Sequence, residues 1–466
     1  MRTWRLGSIK WSQIRFIGHV IGTVGVGVLS VVFFFYPAAT LGFLMLDSKL
    51  KNEGQSRLVP YWFKSLAGRY TSWAERFLAK RVAATLDNND VAGTEWPMFG
   101  SVFFLVTAEE LQRQGLVDAR QGKVRRAVEK AREIVMSPDT ATWVRTKWGD
   151  DYLTRENLFY RMLLIMGTAA YEEITGDLRC RETMSAQHHS LASEMKAAPF
   201  HILNDYPGEC WPIDNVMALA ALQRAAALEG TNHNELVRAM INTLDGPLGV
   251  SGLPATKVDK LTGKILEDPR GCGTSGFLLF FADVDPTVAS RWYQTYEKDF
   301  WKQNAWLAGF TEMPRELNSS FSDVDSGPVL FGFGSVASAF GIGASKAVGR
   351  YDRTVPLTLE AVACSWPTPF GFWIPMAMGK FAMDGPCMAE TALLLSMTRP
   401  TRTATVVPFN GRLPLIVWAL FFAYAGLGIF FVTAEIRAWR RWLAKRGGGQ
   451  TEECLSPRIC SNGHES

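Results

Sequence analysis

The sequence has no CxxC pair, no HExxH and no close histidine pairing beyond the doublet His188-His189. Its seven cysteines are scattered, so neither a zinc ribbon nor a dense disulfide framework is indicated. The six histidines argue against a His-built metal site, and the doublet falls in a polar helical stretch where surface histidines are expected. An excess of one charge is also missing. The formal net charge is +4, much of the surplus sits at the two ends, and no domain-wide basic face is visible. That excludes nucleic acid as the natural partner. The region between the ends shows little of the alternation that marks β-strands. One glycine pattern, Gly332-Phe-Gly334 through Gly341-Ile-Gly343, follows no strand, so it fails the context test for a dinucleotide site. Such glycines instead let neighbouring helices pack closely. No cofactor and no metal are called for.

Apolar and aromatic residues are abundant. They include 16 Trp and 29 Phe, and apolar types make up 47% of the chain. Large cores or aromatic-lined clefts follow. Two runs stand apart. Phe16 to Leu46 is almost wholly apolar, and Phe16 to Tyr36 alone meets the roughly 20 residues a helix needs to cross a bilayer. Pro37 marks an expected break. A cleaved signal peptide would have a shorter core ending in a small-residue site, so an uncleaved anchor is expected. Leu413 to Val432 is the second run, followed at once by Arg437, Arg440, Arg441, Lys445 and Arg446. Arg2, Arg5, Lys10 and Arg15 precede the first run. Basic clusters mark the cytoplasmic side. The expected layout is a cytoplasmic N-terminus over 1–15, an anchor over 16–46, an extracytoplasmic domain over 50–405, a second span over 412–434 and a basic, partly disordered cytoplasmic tail over 435–466. Lys49, Lys51 and Arg57 follow the first span, which leaves a reversed topology as the alternative. A bacterial inner or plasma membrane is the expected location, with the bilayer as a partner; the oligomeric state is open.

Twelve helical stretches are expected between the spans: 60–86, 97–116, 121–137, 155–175, 182–196, 212–229, 233–245, 273–283, 287–302, 328–347, 352–364 and 386–397. Some are apolar nearly all round, as in Val216 to Leu222; others are amphipathic and charged, as in Lys123 to Glu133. A helix apolar on every face is buried, and one with a polar face lies at the surface. Twelve helices alternating between the two predict an all-α (α/α)6 toroid, a twelve-helix barrel; a twisted pile of helical repeats is the alternative. Four links are long, 86–97, 138–155, 197–212 and 246–272. A fifth, Gly309 to Gly327, carries Glu312, Arg315, Glu316, Asp323 and Asp325. Structureless loops beyond about 12–15 residues are usually functional or disordered.

The stretch Tyr206-Pro-Gly-Glu-Cys-Trp-Pro-Ile-Asp-Asn215 is central to the candidate site. Pro212 suits the first turn of a helix. Glu209, Cys210, Trp211 and Asp214 then lie at its N-terminal lip. The helix dipole favours an ionised Asp214, fitting a base or nucleophile, though the same residue could simply cap the helix. Glu209 beside Trp211 could be desolvated into a general acid, or be an exposed loop carboxylate. Cys210 lacks a nearby His to activate it and reads as a packed thiol. Asp87, in Asp87-Asn-Asn-Asp90, and Glu95-Trp96 flank the first long link, as an Asx-rich turn or an oxygen-rich cation site. Glu156, Asn157 and Tyr160 open a helix, either as its cap or facing a cavity. Asp323 and Asp325 cap a helix or form the far wall of the site. Trp96, Trp148, Trp211 and Trp366 could stack on a sugar, or belong to the core.

Trp148-Gly-Asp150, Arg155-Glu-Asn-Leu-Phe-Tyr160, the helix end Thr175-Gly176, Ala198-Pro-Phe200, Asp214-Asn215 and Asp323-Val-Asp-Ser-Gly327 recur at matched spacing. Together they resemble the linalool dehydratase/isomerase family over most of 85–350. The resemblance implies an (α/α)6 barrel. It also implies an acid–base site built from two cysteines and a histidine, but those positions read Asp205, Asp214 and Leu163 here. Carboxylates where the family has thiols suggest the paired acids of (α/α)6 glycoside hydrolases. A spacing of about 5 Å between the pair suits retention and about 6.5–9.5 Å suits inversion. The leading expectation is therefore a glycoside hydrolase-like enzyme acting on a C–O bond, with Asp214 as base or nucleophile and Glu209 or Asp205 as acid. A hydro-lyase or isomerase on a small alcohol, and a non-catalytic glycan- or lipid-binding scaffold, are the alternatives.

Overall fold

The computed structural model describes residues 11–85, 91–317, 321–381 and 388–448. The chain divides into two units, Leu41–Trp418 and a smaller one made of the terminal segments. Each of the twelve expected stretches of the larger unit holds a helix. They are α1 (Val59–Ala79), α2 (Trp96–Arg113), α3 (Gly122–Met136), α4 (Leu158–Thr175), α5 (Arg181–Ala197), α6 (Pro212–Glu229), α7 (Asn234–Asp245), α8 (Gly271–Phe281), α9 (Pro286–Phe300), α10 (Ser335–Ala347), α11 (Tyr351–Cys364) and α12 (Met388–Thr398).

The burial pattern explains their arrangement. α3 buries Val124, Ala127, Val128, Ala131, Ile134 and Val135, one stripe at helical spacing. α7 and α9 bury similar stripes. The even-numbered helices are covered on nearly every face, as in α8, where ten of eleven residues from Gly271 to Phe281 are buried. These inner helices pack in succession. α2 lies on α4, α4 on α6, α6 on α8, α8 on α10, α10 on α12, and α12 returns to α2. The odd helices pack outside: α3 on α2 and α4, α5 on α4 and α6, α9 on α8, α11 on α10, and α1 on α12. Gly343 permits one of these approaches. A Cβ there would stand 2.6 Å from Leu279 of α8 and 3.0 Å from the backbone of Ser396 in α12. The glycine run of α10 thus serves helix packing.

The connections are unequal. Those leaving an inner helix are short, such as 176–180, 230–233 and 282–285. Those entering one are long and carry five two-stranded antiparallel hairpins within the described residues, pairing 249–250 with 253–254, 257–258 with 265–267, 301–303 with 308–310, 329–330 with 333–334, and 367–368 with 371–372. Strands of two or three residues are too short for a period-2 signal, so the sequence does not announce them. The hairpin at 329–334 also delays α10 to Ser335, seven residues past the expected start.

In the smaller unit, helix Trp11–Ser30 continues through a π-helical turn, Val31–Phe35, into Tyr36–Leu46. Pro37 therefore does not break the run. The backbone N–H of Tyr36 reaches Val31 O, which keeps the ladder paired beside a residue that has no N–H. The helix Leu415–Gly448 supplies the other apolar stretch. Phe16 meets Trp442 at 5.6 Å, Thr23 Oγ1 donates to Glu435 Oε1 at 2.5 Å, and Phe34 stacks on Phe431 at 5.3 Å. Contacts that advance along one helix retreat along the other, so the pair is antiparallel. Phe16–Leu46 and Leu415–Ala444 are both long and apolar enough to cross a membrane.

Candidate active site

A cavity of about 1570 Å³ opens at the N-terminal ends of the inner helices. First turns supply much of its wall: Trp96 and Phe99 from α2, Phe159 from α4, Ile213 and Asp214 from α6, Cys272 and Gly273 from α8, Ser335 and Val336 from α10, Met388 and Ala389 from α12. The rest comes from the long loops and from Ile416, which belongs to the larger unit. Most of the lining is apolar, with Phe103, Met217, Phe280, Phe340, Leu357 and Leu393 prominent. Trp306, Leu330, Phe331 and Phe370, on loops entering α10 and α12, are exposed.

The loop before α6 sets the polar end. Asp205 N–H donates to Glu209 O at 2.9 Å and Glu209 N–H to Tyr206 O at 2.9 Å, with Gly208 at φ +77° where a left-handed residue is required. Asp205 is buried, and its Oδ2 accepts Trp211 N–H at 2.9 Å. Asn215 clamps the other side: Leu203 N–H donates to its Oδ1 at 2.8 Å, and its Nδ2 donates to Leu203 O and Trp211 O. Held this way, the loop turns Tyr206, Glu209 and Trp211 to the cavity and Cys210 inward, where its thiol donates to Leu203 O. Burial raises the Cys210 thiol pKa, so it stays protonated, as a packed thiol should.

Four carboxyls crowd this end. Glu95, before α2, accepts the Tyr206 hydroxyl at 2.6 Å. Burial lifts its pKa to about 7 against that hydrogen bond and the charge of Lys147, while Asp325 adds to the rise. Burial lifts Asp214 to about 8, helped by Asp325 and Glu95. Asp325 is also raised, by burial and then Asp323, with Arg270 opposing. Asp205 is raised well above the carboxylate range by burial and then by Asp214, and its Oδ1 has no partner. Asp214 therefore departs from the ionised state that the helix dipole favours. A dipole contributes up to about 2 kcal/mol, little more than one pKa unit. Burial beside two further carboxyls outweighs it.

Arg270 braces the opposite wall. Its Nε donates to Glu312 Oε1 at 2.9 Å and a terminal nitrogen to Asp323 Oδ2 at 2.7 Å. Asp323 Oδ1 accepts the N–H groups of Asp325 and Ser326, so this turn presents Asp325 to the cavity. Asp323 is thus a support, not part of the lining. Gly271 lets the Thr311–Glu312 segment close in: a Cβ there would sit 2.1 Å from Thr311 O. Cys272, in the wall, donates its thiol to Glu312 at 3.1 Å. Burial and then Glu312 raise that thiol well above its usual range.

Of the residues read from the sequence, Glu95, Trp96, Tyr206, Glu209, Trp211, Asp214 and Asp325 line one cavity. Glu209 is not desolvated. Its side chain is 47% exposed and pairs with Lys257 at 3.0 Å, as an exposed loop carboxylate does. Asp205 stands behind the wall, not in it. Glu156 pairs with Lys260 and accepts Asn204 N–H. Asn157 is buried at φ +33° and donates to Tyr152 O, and Tyr160 is buried against Tyr152 and Trp143. These three, with Cys210 and Asn215, shape the scaffold. Trp148 and Trp366 are not among the lining residues either. Asp87 lies outside the described residues. His188 departs from the surface reading: it is fully buried, while His189 is exposed.

Lys147, Arg270, Cys272 and Glu360 line the cavity without having been singled out. Lys147 stands 3.8 Å from the Tyr206 ring. Only Arg270-Gly-Cys, at the start of an apolar helix, carried a usable signal, because a charge and a thiol there must face the helix mouth. No protein-family model matches the chain, and no curated protein is significantly similar to it.

Proposed function

We propose that the protein is a membrane-anchored (α/α)6-barrel enzyme that uses carboxyl acid–base chemistry on the C–O bond of an apolar alcohol, as a hydro-lyase or isomerase. The observation that carries this reading is the cavity itself, a large apolar chamber with the raised carboxyls of Glu95, Asp214 and Asp325 in its lining and Asp205 behind the wall. The inner-helix packing that returns from α12 to α2, with outer helices behind it, supports the toroid.

In this reading Asp214, protonated near neutrality, is the acid. It donates its proton to the hydroxyl oxygen, and the C–O bond breaks as water leaves. Glu95, with a pKa near neutrality and a hydrogen bond from Tyr206, is the base. It takes the proton from the neighbouring carbon, and that C–H electron pair becomes the new C=C bond. The proton gained by Glu95 returns to Asp214 through solvent, which restores the starting state. The surrounding phenylalanines hold the hydrocarbon and exclude bulk water. Asp205 positions the loop, and Glu209 lies at the rim. A glycan substrate is the second reading, favoured by the indoles of Trp96, Trp211 and Trp306 in the lining.

The antiparallel pairing of the apolar helices and the basic cluster after Val432 support a topology in which the outer ends of both helices face the cytoplasm. The central domain is then extracytoplasmic.

The test is product analysis with the full chain in lipid vesicles. Tertiary and allylic terpenoid alcohols are expected to lose water or transpose their hydroxyl, and Asp214→Asn to lower the rate by about 10²–10⁴-fold. Turnover of aryl glycosides with no reaction of the alcohols would overturn the reading in favour of the glycosidase.

A further inference from the structure

A second cluster lies away from the cavity, where α5 crosses the junction of α6 and α7. His188 and His189 sit in the middle of α5, Glu229 ends α6, and His233 immediately precedes α7. His188 Nδ1 stands 3.2 Å from Glu229 Oε2, and His189 Nε2 stands 3.0 Å from the same oxygen. One ligand atom from each of the three residues lies within 4.8 Å of the others.

We propose that His188, His189 and Glu229 form a binding site for a divalent transition-metal ion, with Zn²⁺ as the best fit. Zinc takes imidazole nitrogen and carboxylate oxygen at about 2.0–2.2 Å, so neighbouring ligand atoms in a tetrahedron stand about 3.3 Å apart. The two separations to Glu229 are already near that value. The remaining His–His gap closes by rotation of His189, whose side chain is 62% exposed.

Two features separate this cluster from an ordinary surface pairing. The first is a buried ligand atom. His188 is fully buried, and its Nδ1 faces Glu229 Oε2 at 3.2 Å without forming a well-aligned hydrogen bond. A bound cation would satisfy both atoms better than this imperfect contact does. The second is a supporting residue. The other nitrogen of His188, Nε2, lies 2.6 Å from His233 Nε2, and His233 is itself buried. When His188 Nε2–H donates to His233, the Nδ1 lone pair is left aimed at Glu229. Metal-binding histidines generally have their second nitrogen held in this way. Three protein ligands leave a fourth position for water on the exposed His189 side. The ion would tie α5 to the α6–α7 turn, so its expected role is to hold the fold rather than to take part in the cavity chemistry.

The experiment uses the full chain in detergent, stripped with a chelator and then titrated with ZnCl₂ alone. One equivalent is expected to bind and to raise the thermal unfolding midpoint, because an ion that binds only the folded state stabilises it by mass action. MgCl₂ is expected to do neither. His189→Ala changes an exposed side chain and leaves the fold intact; it is expected to weaken Zn²⁺ binding by more than about 100-fold. His233→Asn, which removes only the supporting ring, should weaken it by about 10–100-fold. Absence of saturable binding at one equivalent would overturn the proposal. So would Zn²⁺ binding that His189→Ala and Glu229→Gln both leave unchanged, since the ion would then sit elsewhere.

Discussion

The two ends of the inner helices are both rich in buried ionisable groups, but they balance those groups in opposite ways. At the C-terminal ends the buried acids Glu109, Glu110 and Asp283 are paired with arginines, although burial still raises Glu109. Arg224 pairs with Glu109 and Glu110, Arg399 with Glu110 and Asp283, and Arg402 with Asp283. Arg399 also donates to Leu279 O at 3.1 Å, and Lys346 to Met397 O at 2.7 Å. Burial would raise Asp283, but Arg399, Arg224 and Arg402 overcome it and hold its carboxyl below the usual range. At the N-terminal ends Glu95, Asp205, Asp214 and Asp325 are all pushed upward, and Lys147 and Arg270 do not offset them. Helix dipoles favour cations at C-terminal ends and anions at N-terminal ends, so the arginines of one set and the ionised form of the other have the expected sign. The difference lies in pairing. The paired end is sealed by its arginines; the other end carries surplus carboxyls that burial pushes toward the protonated form.

The sharpest way to break this comparison is to remove one partner from the sealed end. Arg399→Met leaves Glu110 and Asp283 buried with less compensation. Loss of about 3–5 kcal/mol of unfolding free energy is expected, read by denaturant unfolding of the full chain in detergent. A loss below about 1 kcal/mol would show that the sealed end is not held by its ion pairs.

The pH dependence of stability separates the two ends next. Asp214 and Glu95 have folded pKa values raised above their ordinary 3.8 and 4.5, to about 8 and about 7. The folded state therefore binds more protons than the unfolded one across those windows. Their contribution is complete below about pH 4 and declines as pH rises through 7 and 8. Each group adds a slope of up to about −1.4 kcal/mol per pH unit. Asp283, whose pKa is depressed, behaves oppositely: its contribution is present above 3.8 and is lost only as pH falls. Between pH 5 and 8, stability should fall with pH, and Asp214→Asn should flatten the curve. A stability that rises over that range would contradict the assignment.

The smallest expected effect is at the rim. Glu209 is half-exposed beside Lys257, so Glu209→Gln should change stability by no more than about 1 kcal/mol. It should also leave turnover within a few-fold of the parent, measured in the alcohol assay. A large loss of rate would move the acid from Asp214 to Glu209.

The sequence displayed these features unevenly. The twelve helices were legible because amphipathic and fully apolar stretches alternate along the chain, as the stripe of α3 beside the all-round burial of α8 illustrates. The residues Glu95, Tyr206, Trp211 and Asp325 in long links, and Asp214 in the first turn of α6, were legible because chemically active side chains there have few other places to face. Protonation was not. The N-terminal position of Asp214 is local information, whereas Asp325 and Glu95, which help raise it, lie more than 100 positions away in the chain. The sealed end was hidden for the same reason: Glu110 and Arg399 meet across 289 positions. His188 read as a surface residue because its stretch is polar, yet its partners are Glu229, at the end of another helix, and His233, in the link that follows it.

The most direct test of the account is the protonation of Asp214. Infrared difference spectra of the full chain in lipid vesicles, titrated from pH 5 to 9, isolate carboxyl bands by comparing the parent with Asp214→Asn. The account predicts a protonated carboxyl band at pH 7 that titrates near pH 8 and is missing from the variant. If Asp214 is already ionised at pH 6, the open end holds no proton to donate, and the acid–base reading of the cavity fails.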